Sequence, residues 1–475
     1  MKLTNDIKNN ETTLDSLLGI NDVFDIGKKT ITIAGCDNII YTATFLINSE
    51  EVTQILLNFF QTNVEFNGGN YFDYIYENLS CINVTVSCDF NELTNAVFNG
   101  LFVILINQSD KAIIIDLRKY PQRGLDEPDS EKVVRGSKEG FTENIAVNIG
   151  LIRRRIKTGD LVIKKFEIGT YSKTLVSVVY LKEKVNKKAL DTCLNRLNNI
   201  NVEELTMTDK ALEELLTTRP YSLYPTVRYT ERPDTLVAHL YQGQFGIFVD
   251  TSPSVMLAPT TFFDHLQAPE EYRQTPLSGT YLKILRLLGI IVSFLLVPIW
   301  LCFVNKINVQ NNIFSNVLIL DYSRAVILFQ VLIGEITIEM VRMASIHTPN
   351  SLSQSMGLIV GIVLGGVAVD LGLVSQVIVL LGALSAIGSY ITPSYELALA
   401  NKIVKLIMIL ISFFFGIIGL VIALIIFIVY LTTLKSFKMP YFSPLIPLNI
   451  KNLIKQFIRL PYRSEKKVNQ DENGN

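Results

Sequence analysis

At 475 residues, with 49% hydrophobic residues and a mean hydropathy of +0.33, the chain is too long for one ordinary domain and too apolar for a wholly soluble protein. Charged residues are spread from Met1 to about Thr275, whereas Tyr281 to Leu431 is a succession of long apolar runs, so the net charge of -1 averages two unlike halves. Cys36, Cys81, Cys88, Cys193 and Cys302 form no CxxC pair and His239, His265 and His347 lie far apart, which argues against a zinc site or a disulfide framework and for a reduced compartment.

Residues 1–20 are polar, lack the apolar stretch of a secretory signal and are expected to be frayed and cytosolic. A first α/β lobe is predicted over 21–119. The runs ITIAG (Ile31 to Gly35), IIYTATFL (Ile39 to Leu46), LFVILI (Leu101 to Ile106) and AIIID (Ala112 to Asp116) are short, β-branched and bounded by turn residues, as strands are. EEVTQILLNFF and FNELTNAVF carry helical spacing between them. Residues 120–140, rich in Pro, Gly and charge, read as a linker.

A second α/β lobe is predicted over 141–275. Its first helix has Thr142 as N-cap and the stripe Ile145, Ile149, Ile152. The helix ends in Arg153, Arg154, Arg155 and Lys157, either a solvated turn favoured by the helix dipole or a contact for anionic headgroups or an acidic partner. In VRYTERPDTLVAH, Pro233 suits a first helical turn, leaving Arg228 and Arg232 to pair with carboxylates or backbone. The two lobes read as a duplication: Phe24-Asp25-Ile26-Gly27 recurs as Phe166-Glu167-Ile168-Gly169, and Ala96 to Gly100 before one strand resembles Ala238 to Gly243 before another.

Residues 276–434 are predicted to form an α-helical transmembrane bundle. Leu287 to Val304 offers eighteen uncharged residues behind Lys283 and Arg286, enough to span with its start on the cytosolic side. Met356 to Leu371 and Leu373 to Ile391 read as further spans; Gly357, Gly361 and Gly365 leave one helix face bare, as a packing seam or a pore lining. Ile403 to Leu431 reads as apolar throughout and longer than an untilted span, so it tilts or bends near Gly416 and Gly419. In Arg324 to Ala344, Glu335, Glu339 and Arg342 share one helix face. Intramembrane carboxylates mark an ion path or a buried pair, so Glu335, Glu339 and Asp370 are ion-path candidates; the plainer readings are a segment lying at the interface, mutual neutralisation of Glu339 and Arg342, and Asp370 as a loop residue at headgroup level. The basic tail 435–475 is expected to be cytosolic, giving an even count of spans: about four, or about six if Ile403 to Leu431 is two helices.

Taken in order, the strings EKVVRGSKEGFTENIAVNIGLIRRRIK, VDTSPSVMLAPTTFFDHLQAPEEYRQTP, SYITPSYELALANKI and LKSFKMPYFSPLIPL resemble the A subunits of spore germinant receptors, the GerA family, from about Val23 to Pro461. DEPDSEKVVRG, VRYTERPD and RMASIHTPNSLSQSMGLI carry the same resemblance; Ser137, where many members have proline or alanine, and Asn305 to Asp321 depart from it. The resemblance implies a multi-pass protein of the inner membrane of a bacterial endospore. It implies a homo-oligomer through the A-type subunit, with the lipid bilayer and other germination membrane proteins as partners, in an ion-conducting assembly. Three function classes follow: a subunit that helps release monovalent cations, a non-conducting scaffold or nutrient-sensing receptor subunit, and an enzyme. The last finds no P-loop, dinucleotide fingerprint or nucleophile elbow, so neither catalysis, a cofactor, a metal nor a nucleic-acid partner is expected.

Overall fold

A computed structural model describes residues 2–20, 22–61, 69–79, 81, 83–120, 131, 133, 135–304, 317, 320–347 and 366–461. The chain divides into two compact units. The first comprises Met1–Pro220, Val227–Thr260 and Ser436–Met439; the second comprises Tyr221–Thr226, Thr261–Lys435 and Pro440–Asn475.

In the first unit, the first lobe runs α1 (Ile7–Leu18), β1 (Ile26–Ile33), β2 (Cys36–Ala43), α2 (Ser49–Gln61), α3 (Tyr71–Glu77), β3 (Val84–Ser87), α4 (Phe90–Phe98), β4 (Phe102–Leu105) and β5 (Ala112–Ile115). The second repeats that order as α5 (Ile145–Arg155), β6 (Leu161–Ile168), β7 (Thr174–Leu181), α6 (Lys187–Asn198), α7 (Thr208–Leu216), β8 (Arg228–Thr230), α8 (Pro233–Tyr241), β9 (Phe245–Val249) and β10 (Val255–Ala258). Both sheets are antiparallel, in the orders β1-β2-β4-β5-β3 and β6-β7-β9-β10-β8.

Each sheet is buried on both faces, which is why β4, β5, β9 and β10 are continuous apolar runs without polar alternation. One face of the first sheet meets Leu14 and Leu18 of α1 and Leu93 and Val97 of α4; the other meets Ile55 of α2 and Phe72 and Ile75 of α3. In the second sheet Ile149 and Leu236 cover one face, Cys193 and Leu212 the other.

The expected frayed N-terminus is therefore corrected. Asp6 caps α1 through the Lys8 amide, Gly19 ends it in left-handed geometry, and Leu14 and Leu18 are fully buried. The repeat is real in architecture, but one of its string matches is out of register: Ile26-Gly27 opens β1, whereas Ile168 closes β6 and Gly169 lies in the following turn. The second match holds. Gly100, between α4 and β4, and Gly243, between α8 and β9, both adopt positive φ, and a side chain there would strike Leu46 or the Lys184 carbonyl. The more telling repeat is polar. Asn10 accepts from the Thr4 amide (2.9 Å) and donates to its carbonyl (2.5 Å), and Asn148 does the same with Thr142 (2.8 and 2.6 Å). Thr142 serves that clasp, while the N-cap of α5 is Asn144.

The second unit contains α9 (Pro269–Arg273), α10 (Pro276–Phe303), α11 (Arg324–His347), a single helical turn Ala368–Asp370, α12 (Gln376–Tyr390), α13 (Tyr395–Thr433) and α14 (Ile450–Phe457). Thr275 caps α10 and Pro276 occupies its first turn. Two helices, α10 and α13, are long and apolar enough to cross a membrane. α13 breaks at Gly416, whose φ of 63° and ψ of -149° only glycine adopts readily, at the first of the two expected bend positions. The span expected over Leu373 to Ile391 is a shorter helix of 15 residues, because Gly372 turns at positive φ and Ser375 is still extended, so the helix starts only at Gln376. Most of the span expected over Met356 to Leu371, with Gly357, Gly361 and Gly365, lies outside the described residues.

Candidate functional site: an ion-pair ladder between two helices

Beyond Arg324 at its start, the charged residues of the apolar helix α11 are Glu335, Glu339 and Arg342, which the spacing of four and three places along one face. Opposite them α13 carries Lys402 and Lys405, three apart. Lys405 Nζ donates to Glu335 and, at 2.5 Å, to Ser385 Oγ of α12, whose hydroxyl donates to the Ser293 carbonyl of α10 at 2.8 Å. One rung higher, Lys402 Nζ donates to Glu339 Oε2, and Arg342 Nε donates to the two oxygens of the same carboxylate at 3.0 and 3.1 Å. The Arg342 guanidinium also lies over the Tyr395 ring, 4.8 Å from its centroid, and Lys402 over Tyr390 at 5.8 Å.

Lys405 is the most enclosed charge of the group, with 4% of its side chain exposed, and Glu335 retains 15%. Such burial is tolerated because both carboxylates are paired and Lys405 has a further hydrogen bond to Ser385; removing one partner would strand the other in a poorly solvated place. The pairs 335–405 and 339–402 run in opposite chain directions, so the ladder ties α11 to α13 antiparallel.

Beside the ladder lies a cavity of about 280 Å³, bounded by Glu335, Glu339, Lys402, Lys405, Asn401 and Thr392 and otherwise walled mostly by aliphatic side chains. A second cavity, about 230 Å³ and apolar, is lined by Trp300, Val331 and Ile378 and also reaches Glu335. Close approach of α10 and α12 comes from Gly289 and Gly388: a methyl group on Gly388 would collide with the Gly289 carbonyl oxygen, and Ser293 Cβ would stand 3.1 Å away.

Of the ion-path candidates, Glu335 and Glu339 come together, each paired. Asp370 does not join them; it is exposed in its single turn, makes no ion pair among the described residues and does not line the cavity. The reading of the basic cluster on α5 as a membrane or partner contact is corrected at Arg153. That side chain is 1% exposed and holds Asp25 of the first lobe with two bonds, 2.6 and 2.9 Å, while its plane covers Phe98. Arg154 and Arg155 both meet Glu139, at 3.3 and 2.7 Å, and Lys157 remains exposed. Arg228 pairs with Glu131 at 2.9 Å, and Arg232 binds Asp234 and the carbonyls of Glu131 and Ser137, as the sequence suggested for these two.

Lys402 and Lys405 were missed. The signal lay in NKIVKL: Lys405 falls inside the stretch read as apolar throughout, and a lysine there requires a carboxylate on a neighbouring helix.

The sequence profile described as Bacillus/Clostridium GerA spore germination protein matches residues 13–470. Stage V sporulation protein AF of Bacillus subtilis (strain 168) is 37% identical over 451 residues, 95% of this chain and 92% of that one. Spore germination protein A1 of the same organism is 32% identical over 378 residues, 78% of each. Among solved structures, the N-terminal domain of the A subunit of the Bacillus megaterium spore germinant receptor GerK3 aligns with a TM-score of 0.43 and 25% identity, covering 55% of this chain and 98% of that one. With the family profile covering nearly the whole length, the chain belongs to the GerA family of spore germination proteins.

Proposed function

We propose that this protein is an integral subunit of an oligomeric complex in the inner membrane of the bacterial endospore. In this reading the two-lobed α/β region is cytosolic, the apolar helices form a multi-pass transmembrane bundle, and the complex, with other germination membrane proteins, contributes to release of monovalent cations. A role in germination follows from the family and from the names of the relatives. Membrane residence is supported by α10 and α13. The observation that carries the ion-passage reading is the ladder itself: two carboxylates and three cations placed among apolar helices beside a cavity, where a globular core would gain stability from hydrophobic side chains instead.

Asp370 is kept in the proposal only as a residue outside the ladder. Potassium flux from liposomes holding the purified full-length complex tests the reading. The double substitution Glu335→Ala, Glu339→Ala should change the flux several-fold, and unchanged flux would remove both residues from an ion path. A second reading, a non-conducting scaffold or nutrient-sensing receptor subunit, is favoured by the complete pairing of both carboxylates, which would then only fasten α11 to α13.

A further inference from the structure

The ladder is unbalanced. Glu335 is matched by Lys405, whereas Glu339 is shared by Arg342 and Lys402, so among the described residues three cations face two carboxylates and one positive charge is left over. Glu396, near the start of α13, accepts from Ser394 Oγ at 3.0 Å and does not line the cavity. Lys402 itself is only 20% exposed. A surplus charge held among apolar side chains is costly unless a counter-charge completes it.

A second observation points into the same space. Thr392 lines the cavity with its residue 91% buried, and its Oγ1 has no hydrogen-bond partner among the described residues. An unmade bond of that kind at a cavity wall marks a place where an acceptor would be held. Ile336, Met340, Leu399 and Ile403 give the cavity an aliphatic side, while Ser385, Ser389 and Asn401 add polar positions to its wall.

We infer that this cavity binds a small monoanion with an apolar body, of the aliphatic carboxylate class, its carboxylate against Lys402 and Thr392 and its chain along the aliphatic wall. Binding cancels the surplus charge. This rests on the reading that the ladder governs cation passage, and it adds a regulator to it: the empty cavity opposes a cation near Glu339, and the occupied one does not. A short carboxylate arriving from water and a fatty acid entering from the bilayer present the same chemistry.

Isothermal titration of the full-length protein in phosphatidylcholine nanodiscs tests this directly. Hexanoate should bind saturably at one site and hexanamide should not. Lys402→Gln should weaken hexanoate at least about tenfold, the size expected for one charge-assisted hydrogen bond, while Lys402→Arg retains it. Lys402→Gln leaves Glu335 with Lys405 and Glu339 with Arg342, so the ladder stays paired and the variant should fold. Thr392→Val, nearly isosteric, should weaken binding several-fold and provides an independent check. Nanodiscs containing oleate should mask the site if the bilayer is the source, and leave it open to hexanoate if water is. Absence of saturable binding by both hexanoate and oleate, equal binding of hexanamide, or hexanoate affinity untouched by Lys402→Gln would overturn the inference. Flux is read separately: binding without any flux leaves the site standing and defeats the conduction reading, and flux without binding does the reverse.

Discussion

Arg153 shows how far a single residue's role can depart from its neighbours'. Three consecutive helical residues sweep about 200° around the axis, so a run of three arginines on a buried helix must send at least one inward. Arg153 is that one, and its partner, Asp25, sits more than a hundred residues earlier in the chain, where no local pattern could announce it. Arg153→Ala should destabilise the first unit by roughly 3–5 kcal/mol, because Asp25 would be left buried and unpaired. Denaturant unfolding of the full-length protein followed by circular dichroism measures this; Arg153→Met with Asp25→Leu should recover part of the loss.

Glu271 supplies a pH test at the same scale. Its side chain is 1% exposed, Oε2 has no partner among the described residues, and burial raises the carboxyl above its ordinary value although Arg286 bonds to it and Lys283 stands near. A raised carboxyl binds its proton more tightly in the folded state than in the unfolded one. Its contribution is therefore fully present below the unfolded glutamate value and is lost as pH rises through the folded value. Melting temperature against pH should fall across that window, and Glu271→Gln should flatten the fall.

Among elements, α4, β4 and β5 were legible because their apolar patterns are short, dense and bounded by Asp, Gly or Asn. α1 was not. Of its twelve residues only Ile7, Leu14, Leu17 and Leu18 are apolar, too sparse for a periodic signal, although Asp6 and Gly19 stand where caps belong. The short-string repeat slipped because strand sequences repeat composition more readily than position; the paired Thr4–Asn10 and Thr142–Asn148 clasps keep the true register.

The α10–α12 seam follows the same lesson, since Gly289, Ser293, Ser385 and Gly388 are ordinary small residues until the helices are placed side by side. Gly388→Leu should separate them, at a cost of roughly 1–3 kcal/mol from overpacking, and lower the thermal stability of the detergent-solubilised protein. Gly334→Ala, where a side chain meets nothing within 4 Å, should be neutral or slightly stabilising.

For the molecule as a whole, the sequence disclosed the change from charged to apolar composition between its halves and the doubling within the first, because both are carried by long-range composition and element order. It did not disclose the ladder. That needed α11 and α13 to be paired, and two lysines at the head of a long apolar run resemble a flank until their carboxylates are opposite them. The same physics unites these findings: helices this apolar are stable where lipid surrounds them, and the charges they carry persist there only as pairs. Extraction of membranes with alkaline carbonate tests this most directly. The full-length protein should stay in the pellet and be released only by detergent; recovery as a dispersed species in the aqueous fraction would contradict the account.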